Sequence, residues 1–477
     1  MQGTYDFGLI GLGVMGRNFI LNVADNGFKA LGYDLNANQV AALKAEGHPD
    51  QVDATSDIVI FTKSLALPRK IMLLVPAGQI VDQVIESLLP HLDKDDILID
   101  GGNSFFTDTD RREGYLKEKG IHFFGSGVSG GAKGARRGPS IMPGGNKEAY
   151  QYMKPIFEAV SAKYKGEPCV AYLGPKSAGN YVKMVHNGIE YSMMQVTSEI
   201  YDLLKKSVGL SNTELHEVYS TWNSGRLQSF LVEITAEIFT QKDSLTDGDL
   251  VDLILDKAKQ KGTGKWTSQN AMDLGIPVPT IDMAVSMREI SALKEERVLA
   301  DQLYSRPEPI AISKEEIISK AEQGLYFSFI ICYSQGLHQL EVASQAYGYE
   351  LDMAVIAKIW RAGCIIRAGL LADIADAFTA KPNLTNLLLS PAFVVKVQET
   401  LPAVRGLVAY AAQSGIPVPG LASALSYFDA YTSSNLPLNL IQAQRDHFGS
   451  HTYERIDREG IFHTEWGEDS LQENSKQ

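Results

Sequence analysis

Along the first third of the chain, apolar positions come in short runs closed by small or polar residues: YDFGLIGLG, KALGYD, IMLLVPAG, DILIDGGNS and IHFFGSGVSG. Helical patterns separate them. This alternation predicts an α/β Rossmann-like domain, a mostly parallel, doubly wound sheet. Ligands bind such sheets at loops on the carboxyl ends of the strands.

From about Gly179 the strand signals fade and long helical patterns take over, predicting a large all-α domain. GIPVP occurs at 275–279 and again at 415–419, and Trp222 and Trp360 each lie about fifty residues before a copy. TSEIYDLLKKSVGL and SQGLHQLEVASQAYGY repeat at nearly the same offset, so the helical domain reads as a tandem duplication. The expected divisions are 1–178 for dinucleotide binding, 179–434 for the helices and 435–477 for a tail. A tail of this length is either disordered or packed on another subunit, and its polar end, EDSLQENSKQ, is expected to be mobile.

Within the first helical pattern, NYVKMVHNGIEY places Lys183, His186, Asn187, Glu190 and Tyr191 at offsets of three, four, seven and eight. On a helix these side chains share one arc, on the order of 140° wide. A solvated face carries Glu, Lys, Gln and Arg in loose mixture. A cation, an imidazole, an amide, a carboxylate and a phenol together describe an active site better. The second copy lacks this stripe, so the chemistry is expected in the first.

Composition narrows the partners. The 477 residues are 44% hydrophobic and 21% charged, which suits a globular protein of two or three domains. A net charge of −13 argues against nucleic-acid binding and confines any anionic substrate to a local basic cluster. The longest apolar runs are too short to span a membrane, and the amino terminus enters a strand without an export signal, so a cytoplasmic location is expected. Cys169, Cys332 and Cys364 lack metal-ligand spacing and read as buried free thiols; no metal is expected.

GLGVMG follows the first strand and opens a helix, the context that makes a G-x-G-x-x-G loop informative. Gly11 permits the turn, Gly13 admits the pyrophosphate, Gly16 allows helix–strand packing, and Leu12, Val14 and Met15 complete the loop. Asp34 ends the second strand 18 residues after Gly16, placed to accept hydrogen bonds from ribose hydroxyls and to repel a 2′-phosphate. No Arg or Lys follows before Lys44, so NAD is expected over NADP. The alternative role for Asp34 is as cap of the next helix.

Six motifs in order, DGGNS (100–104), GSGVSGG (125–131), MPGGNKEA (142–149), KMVHNGIEY (183–191), QKGTGKWT (260–267) and QAQRDHFGSHTYE (442–454), resemble those of 6-phosphogluconate dehydrogenases of the long form. The resemblance implies oxidative decarboxylation of 6-phospho-D-gluconate to ribulose 5-phosphate in the pentose phosphate pathway, with reduction of NAD or NADP. It implies Lys183 as general base and then acid, and Glu190 as general acid. It implies substrate contacts from Asn103, Ser129, Gly130, Gly131, His186 and Asn187, and a phosphate site from Tyr191, Lys261, Thr263, Arg288 and Arg445. Lys265 ranks below Lys261. His451, with Arg445, is implied to reach the substrate of the second subunit of a homodimer. Val75, Ala77 and Asn103 are implied on the cofactor side. Three departures accompany it: Asp34-Leu35-Asn36 replaces Asn-Arg-Thr, Pro76 replaces a lysine, and Ala132-Lys133 replaces two glutamates. The first two favour NAD.

Two other readings share the glycine loop: a β-hydroxyacid dehydrogenase that does not decarboxylate, and a non-catalytic dinucleotide-binding protein. The first would have no use for the cations of the phosphate site. The second would have no need of Lys183 and Glu190.

Overall fold

The computed structural model describes residues 3–467, so the polar end at 468–477 lies outside the described residues. Seven strands form one sheet: β1 (Phe7–Ile10), β2 (Ala30–Tyr33), β3 (Val52–Thr55), β4 (Lys70–Leu73), β5 (Ile97–Asp100), β6 (His122–Ser129) and β7 (Ser140–Gly145), in the order β3-β2-β1-β4-β5-β6-β7. The first six run parallel and β7 pairs antiparallel with β6. Strand order reverses at β1, which pairs with β2 through Gly8 and Leu31 and with β4 through Gly8 and Ile71. The carboxyl ends of β1 and β4 therefore flank the crevice where such sheets bind ligands.

β3 and β7 were not among the expected strands. β3 has only four residues, Val-Asp-Ala-Thr, two of them buried. β7 carries Ser, Pro and two glycines, residues poor in strand propensity, yet it is buried throughout. Packing overrides propensity there.

Helices α1 (Val14–Asp25), α2 (Ala37–Glu46), α3 (Ile58–Ser64), α4 (Gln79–Leu88), α5 (Phe106–Glu118), α6 (Gly131–Arg137) and α7 (Lys147–Val160) connect the strands or follow them. The strands are apolar on both faces because both are covered. Phe7, Leu9, Met72, Ile97 and Ile99 enter one layer with Phe19 and Phe157, whereas Ile10, Ile71, Leu73 and Leu98 enter the other with Phe61, Ile85 and Leu116.

The remainder is helical: α8 (Ala178–Val208), α9 (Asn212–Asn223), α10 (Phe230–Ile238), α11 (Leu250–Leu253), α12 (Thr263–Leu274), α13 (Pro279–Ala292), α14 (Lys294–Leu303), α15 (Lys314–Tyr347), α16 (Met353–Ile359), α17 (Leu370–Ala380), α18 (Pro391–Gln413), α19 (Pro419–Tyr431) and α20 (Leu438–Gly449). The two long helices, α8 of 31 residues and α15 of 34, occupy corresponding places in the repeat and pack together. Both GIPVP copies build the same corner. Gly275 and Gly415 take positive φ, Ile276 and Ile416 donate back to Ala271 and Ala411, and Pro279 and Pro419 start the next helix.

By packing, the described residues form two compact units, the first ending at Leu425 and the second beginning at Ser426. The second contains α20 and a short antiparallel hairpin pairing Tyr453 with Phe462. Asp446 organises it: its buried carboxylate accepts from Thr452 N at 2.8 Å, Thr464 N at 3.0 Å and Trp466 Nε1 at 2.9 Å, with His463 Nδ1 at 2.8 Å. All three cysteines are buried and free. No described helix is long and apolar enough to cross a membrane.

Candidate active site

Helix α8 begins against the sheet. Gly179 lies so close to β6 and β7 that a Cβ there would stand 2.3 Å from Met142 O and 2.5 Å from Gly125 O. Gly125 and Gly127 alternate along β6 and leave one face of that strand bare. A Cβ at Gly125 would meet Asn180 Oδ1 at 1.5 Å, and one at Gly127 would meet Lys183 Cβ at 2.4 Å. Gly125 and Gly127 thus admit α8 and lay Lys183 across the end of the sheet.

Both sides of α8 are buried here, so the polar stripe is not a solvated face. Lys183 is 6% exposed, His186 is fully buried, and Asn187 and Tyr191 are buried as well. Burial pushes the Lys183 ammonium below its ordinary value, opposed by the nearby charges of Glu190 and Cys364. Burial pushes the Glu190 carboxyl upward, opposed by Lys183 and Arg288. One helix thus carries a lysine biased toward free base and a glutamate biased toward the acid, the pairing that proton transfer in both directions requires.

A hydrogen-bonded chain runs beside them. Ser129 Oγ lies 3.2 Å from His186 Nε2, His186 Nδ1 lies 3.0 Å from Asn187 Oδ1, and Asn187 Nδ2 donates to Thr263 Oγ1 at 3.1 Å. Because the Asn187 amide nitrogen is already donating to Thr263, its oxygen accepts Nδ1–H, leaving Nε2 to accept the Ser129 hydroxyl proton. Burial, then Lys183, holds His186 well below its ordinary value and therefore neutral.

Arg288 on α13 stacks on Tyr191, its Cζ 3.5 Å from the ring centroid. Gly264 also lies against that ring, since a Cβ there would stand 2.3 Å from Tyr191 Cδ2. The glycines of KGTGK therefore serve packing and the turn, Gly262 taking φ +97° as the cap of α12. Neither Lys261 nor Arg288 has an acidic ion-pair partner among the described residues. Lys261, like Lys265, is exposed. Unpaired cations around a phenol and a helix start suit a phosphate.

The stripe lies in the first copy, as expected, but the second repeat also reaches this site, packing against it, which the sequence pattern did not indicate. The Trp360 ring meets the His186 ring edge-on at 5.5 Å, Ile365 N donates to Ser129 Oγ at 3.4 Å, and Gly363 O accepts from Ser140 N at 2.8 Å. Arg445 and His451 belong to the second compact unit, where both are exposed and Arg445 Nη1 contacts Gln442 Oε1 at 3.2 Å.

At the dinucleotide crevice the three glycines divide their work. Gly11 has φ +95°, a Cβ on Gly16 would stand 1.8 Å from Gly11 O, and a Cβ on Gly13 would meet nothing within 4 Å. Gly13 thus presents bare backbone to open space at the start of α1, which fits a pyrophosphate. Val14 and Ala77 are exposed, Met15 and Val75 half-buried, and Asn103 is exposed at the end of β5. Asp34 Oδ2 accepts from Leu12 N at 2.8 Å and Oδ1 from Asn36 N at 2.8 Å. Asn36, not Asp34, caps α2. Leu35 is exposed, and Lys133 lies exposed in the first turn of α6. Among the described residues no three His, Cys, Asp or Glu side chains gather to hold an ion.

Comparison with known proteins places this arrangement. Residues 6–174 match the NAD binding domain of 6-phosphogluconate dehydrogenase, and residues 179–466 match the C-terminal domain of that enzyme. The chain is 54% identical to the NADP(+)-dependent, decarboxylating 6-phosphogluconate dehydrogenase of Bacillus subtilis, over 96% of this chain and 98% of that protein. It is 50% identical to the decarboxylating enzyme of Escherichia coli K12, over 96% and 98% respectively. A Plasmodium falciparum 6-phosphogluconate dehydrogenase, solved apo, with its cofactor NADP+ and with its substrate 6-phosphogluconate, superposes with a TM-score of 0.94 at 44% identity, over 97% of this chain and all of that one.

Proposed function

The chain belongs to the 6-phosphogluconate dehydrogenase family, and from that premise we propose that it oxidatively decarboxylates 6-phospho-D-gluconate to D-ribulose 5-phosphate, with Lys183 and Glu190 moving the protons. The observation that carries this reading is the pair itself: a buried lysine and a half-buried glutamate on one rigid helix, pushed by desolvation toward neutral base and neutral acid. The nicotinamide dinucleotide, when bound, accepts the hydride from C3. Lys183 takes the proton of the C3 hydroxyl as that hydride leaves. The resulting 3-keto acid loses carbon dioxide, the C1–C2 bonding pair passing into an enolate whose oxygen the Lys183 ammonium stabilises and protonates. Glu190 then delivers a proton to the carbon that becomes C1 of the product.

Ser129 with the adjoining Gly130 and Gly131, Asn103, His186 and Asn187 orient the acid end. The neutral, tautomer-fixed His186 acts as a hydrogen-bonding group and not as a competing base. Tyr191, Lys261, Thr263 and Arg288 hold the phosphate, which the unpaired Arg288 guanidinium favours. A homodimer completes the site, Arg445 and His451 coming from a second copy. Exposed Leu438, Leu440, Ile441 and Phe448 on α20 supply an apolar face for such packing.

For the cofactor, Asp34-Leu35-Asn36 offers a carboxylate, an alkyl chain and an amide, with no cation for a 2′-phosphate. NAD preference follows from that chemistry, although the Bacillus relative is named NADP(+)-dependent and the Plasmodium enzyme was solved with NADP+. Steady-state kinetics with both cofactors test the whole reading. Reduced nicotinamide and ribulose 5-phosphate should form with 6-phosphogluconate, and kcat/KM should be higher with NAD. Changing Asp34-Leu35 to Asn-Arg should shift the preference toward NADP. No product with either cofactor refutes the activity; a higher kcat/KM with NADP refutes the preference alone.

A further inference from the structure

Arg112 lies on α5, behind the dinucleotide crevice, with its side chain 1% exposed. Its guanidinium reaches two loops at once. Toward the loop after β4 and the first turn of α4 that follows it, Nη2 donates to Gly78 O at 2.9 Å and to Asp82 Oδ2 at 3.1 Å, and Nε donates to Asp82 Oδ1 at 2.8 Å. Toward the loop after β5, Nη1 lies 3.5 Å from Ser104 Oγ and 3.6 Å from Asp100 Oδ2.

Each partner stands at a point that shapes its loop. Gly78, at φ +93°, is the N-cap of α4 and ends the Val75-Pro76-Ala77-Gly78 turn. Asp100 ends β5 and accepts from Gly102 N at 3.0 Å, setting the turn that carries Asn103. The loops lie against each other, since a Cβ on Gly102 would stand 3.2 Å from Val75 O. Asp100 Oδ2 is buried without a hydrogen-bond partner, so the guanidinium is the nearby charge that compensates it.

We propose that Arg112 is a positioning residue for the dinucleotide: it braces the loop after β4 against the loop after β5 and so sets the gap between Val75-Ala77 and Asn103. It touches neither reactant. A planar five-donor group holds two loops in a fixed relation, where a lysine would satisfy one. This rests on the dinucleotide reading above.

The test is Arg112→Lys in the full-length chain, with Asp82→Asn, whose carboxylate is partly exposed, carrying the same test should the first not fold. NADH and NADPH affinities are measured by fluorescence titration, 6-phosphogluconate affinity by calorimetry, and amide hydrogen exchange across 75–78 and 101–104. Dissociation constants for the reduced cofactors should rise on the order of tenfold, with a distinctly smaller loss of substrate affinity, because Asn103 alone of the proposed substrate contacts lies on the braced loops. Exchange should quicken in both loops together. A folded variant with unchanged cofactor affinity overturns the inference, as does an equal loss of both affinities alongside a fall in Tm. If the parent itself binds neither NADH nor NADPH, the dinucleotide reading falls first.

Discussion

A methyl group on Gly127 would stand 2.4 Å from the Cβ of Lys183, closer than two such carbons approach. Gly127 is therefore what allows Lys183 to lie across the end of β6. Gly127→Ala should push the lysine, or all of α8, out of place. A shift of this kind costs about a hundredfold in kcat when the displaced group is the base. KM for the phosphorylated substrate should change far less, because Arg288 and Tyr191 lie on α13 and farther along α8. Unaltered kcat in the alanine variant would mean that the contact does not set the base.

The pH dependence follows from the two opposed shifts. With Lys183 as the proposed base, activity requires it neutral, so kcat/KM rises with pH through a lysine midpoint that burial has moved below the ordinary 10.5. With Glu190 as the proposed acid, activity also requires it protonated, so kcat/KM falls as pH passes a carboxyl midpoint that burial has moved above the ordinary 4.5. A bell is expected whose lysine limb lies below pH 10.5 and whose carboxyl limb lies above pH 4.5, the two reporting the pair jointly. A rate still climbing at the ordinary lysine value would show that Lys183 is not the base.

Much of this arrangement is legible in the sequence. The apolar runs located five of the seven strands, and the spacing of Lys183, His186, Asn187, Glu190 and Tyr191 placed them on one helix. Spacing within a helix is local, so sequence reveals it. The two alternating glycines of β6, Gly125 and Gly127, also stand in the sequence, yet only the packing of α8 gives them meaning. Trp360 and Ile365 stayed hidden because they reach His186 and Ser129 from residues far along the chain, with no periodicity to announce it. β7 stayed hidden because burial and pairing with β6, not propensity, make it a strand.

If Arg445 and His451 complete the site of a second copy, two inactive variants should rescue each other. Lys183→Met retains an intact tail, and His451→Ala retains an intact base. After dissociation and reassembly in equal amounts, half of the dimers are mixed and each mixed dimer has one complete site. Activity should return to about a quarter of the parent's. No recovery from a mixture shown to contain mixed dimers would place these residues outside the neighbour's site.

Glu199 gives a stability signature separate from catalysis. Its buried carboxylate accepts from Gly420 N at 2.7 Å and Leu421 N at 2.8 Å at the start of α19. Burial nevertheless pushes its pKa up to about 7, against the hydrogen bonds of Gln195, Leu421 and Gly420. A raised carboxyl binds its proton more tightly folded than unfolded. Stability from this group is therefore full below pH 4.5 and is lost as pH rises toward about 7. The loss is at most roughly 3 kcal/mol. Glu199→Gln should flatten the fall in Tm across that window, and an unchanged slope would show that Glu199 does not titrate there.

The most direct measurement is single-turnover product formation by Lys183→Met and by Glu190→Ala, with 6-phosphogluconate affinity measured separately on each. The rate should fall about a thousandfold for the lysine variant and at least about a hundredfold for the glutamate variant. Substrate affinity should stay within about tenfold of the parent's in both. Either variant forming ribulose 5-phosphate at the parent's rate would contradict proton transfer by Lys183 and Glu190.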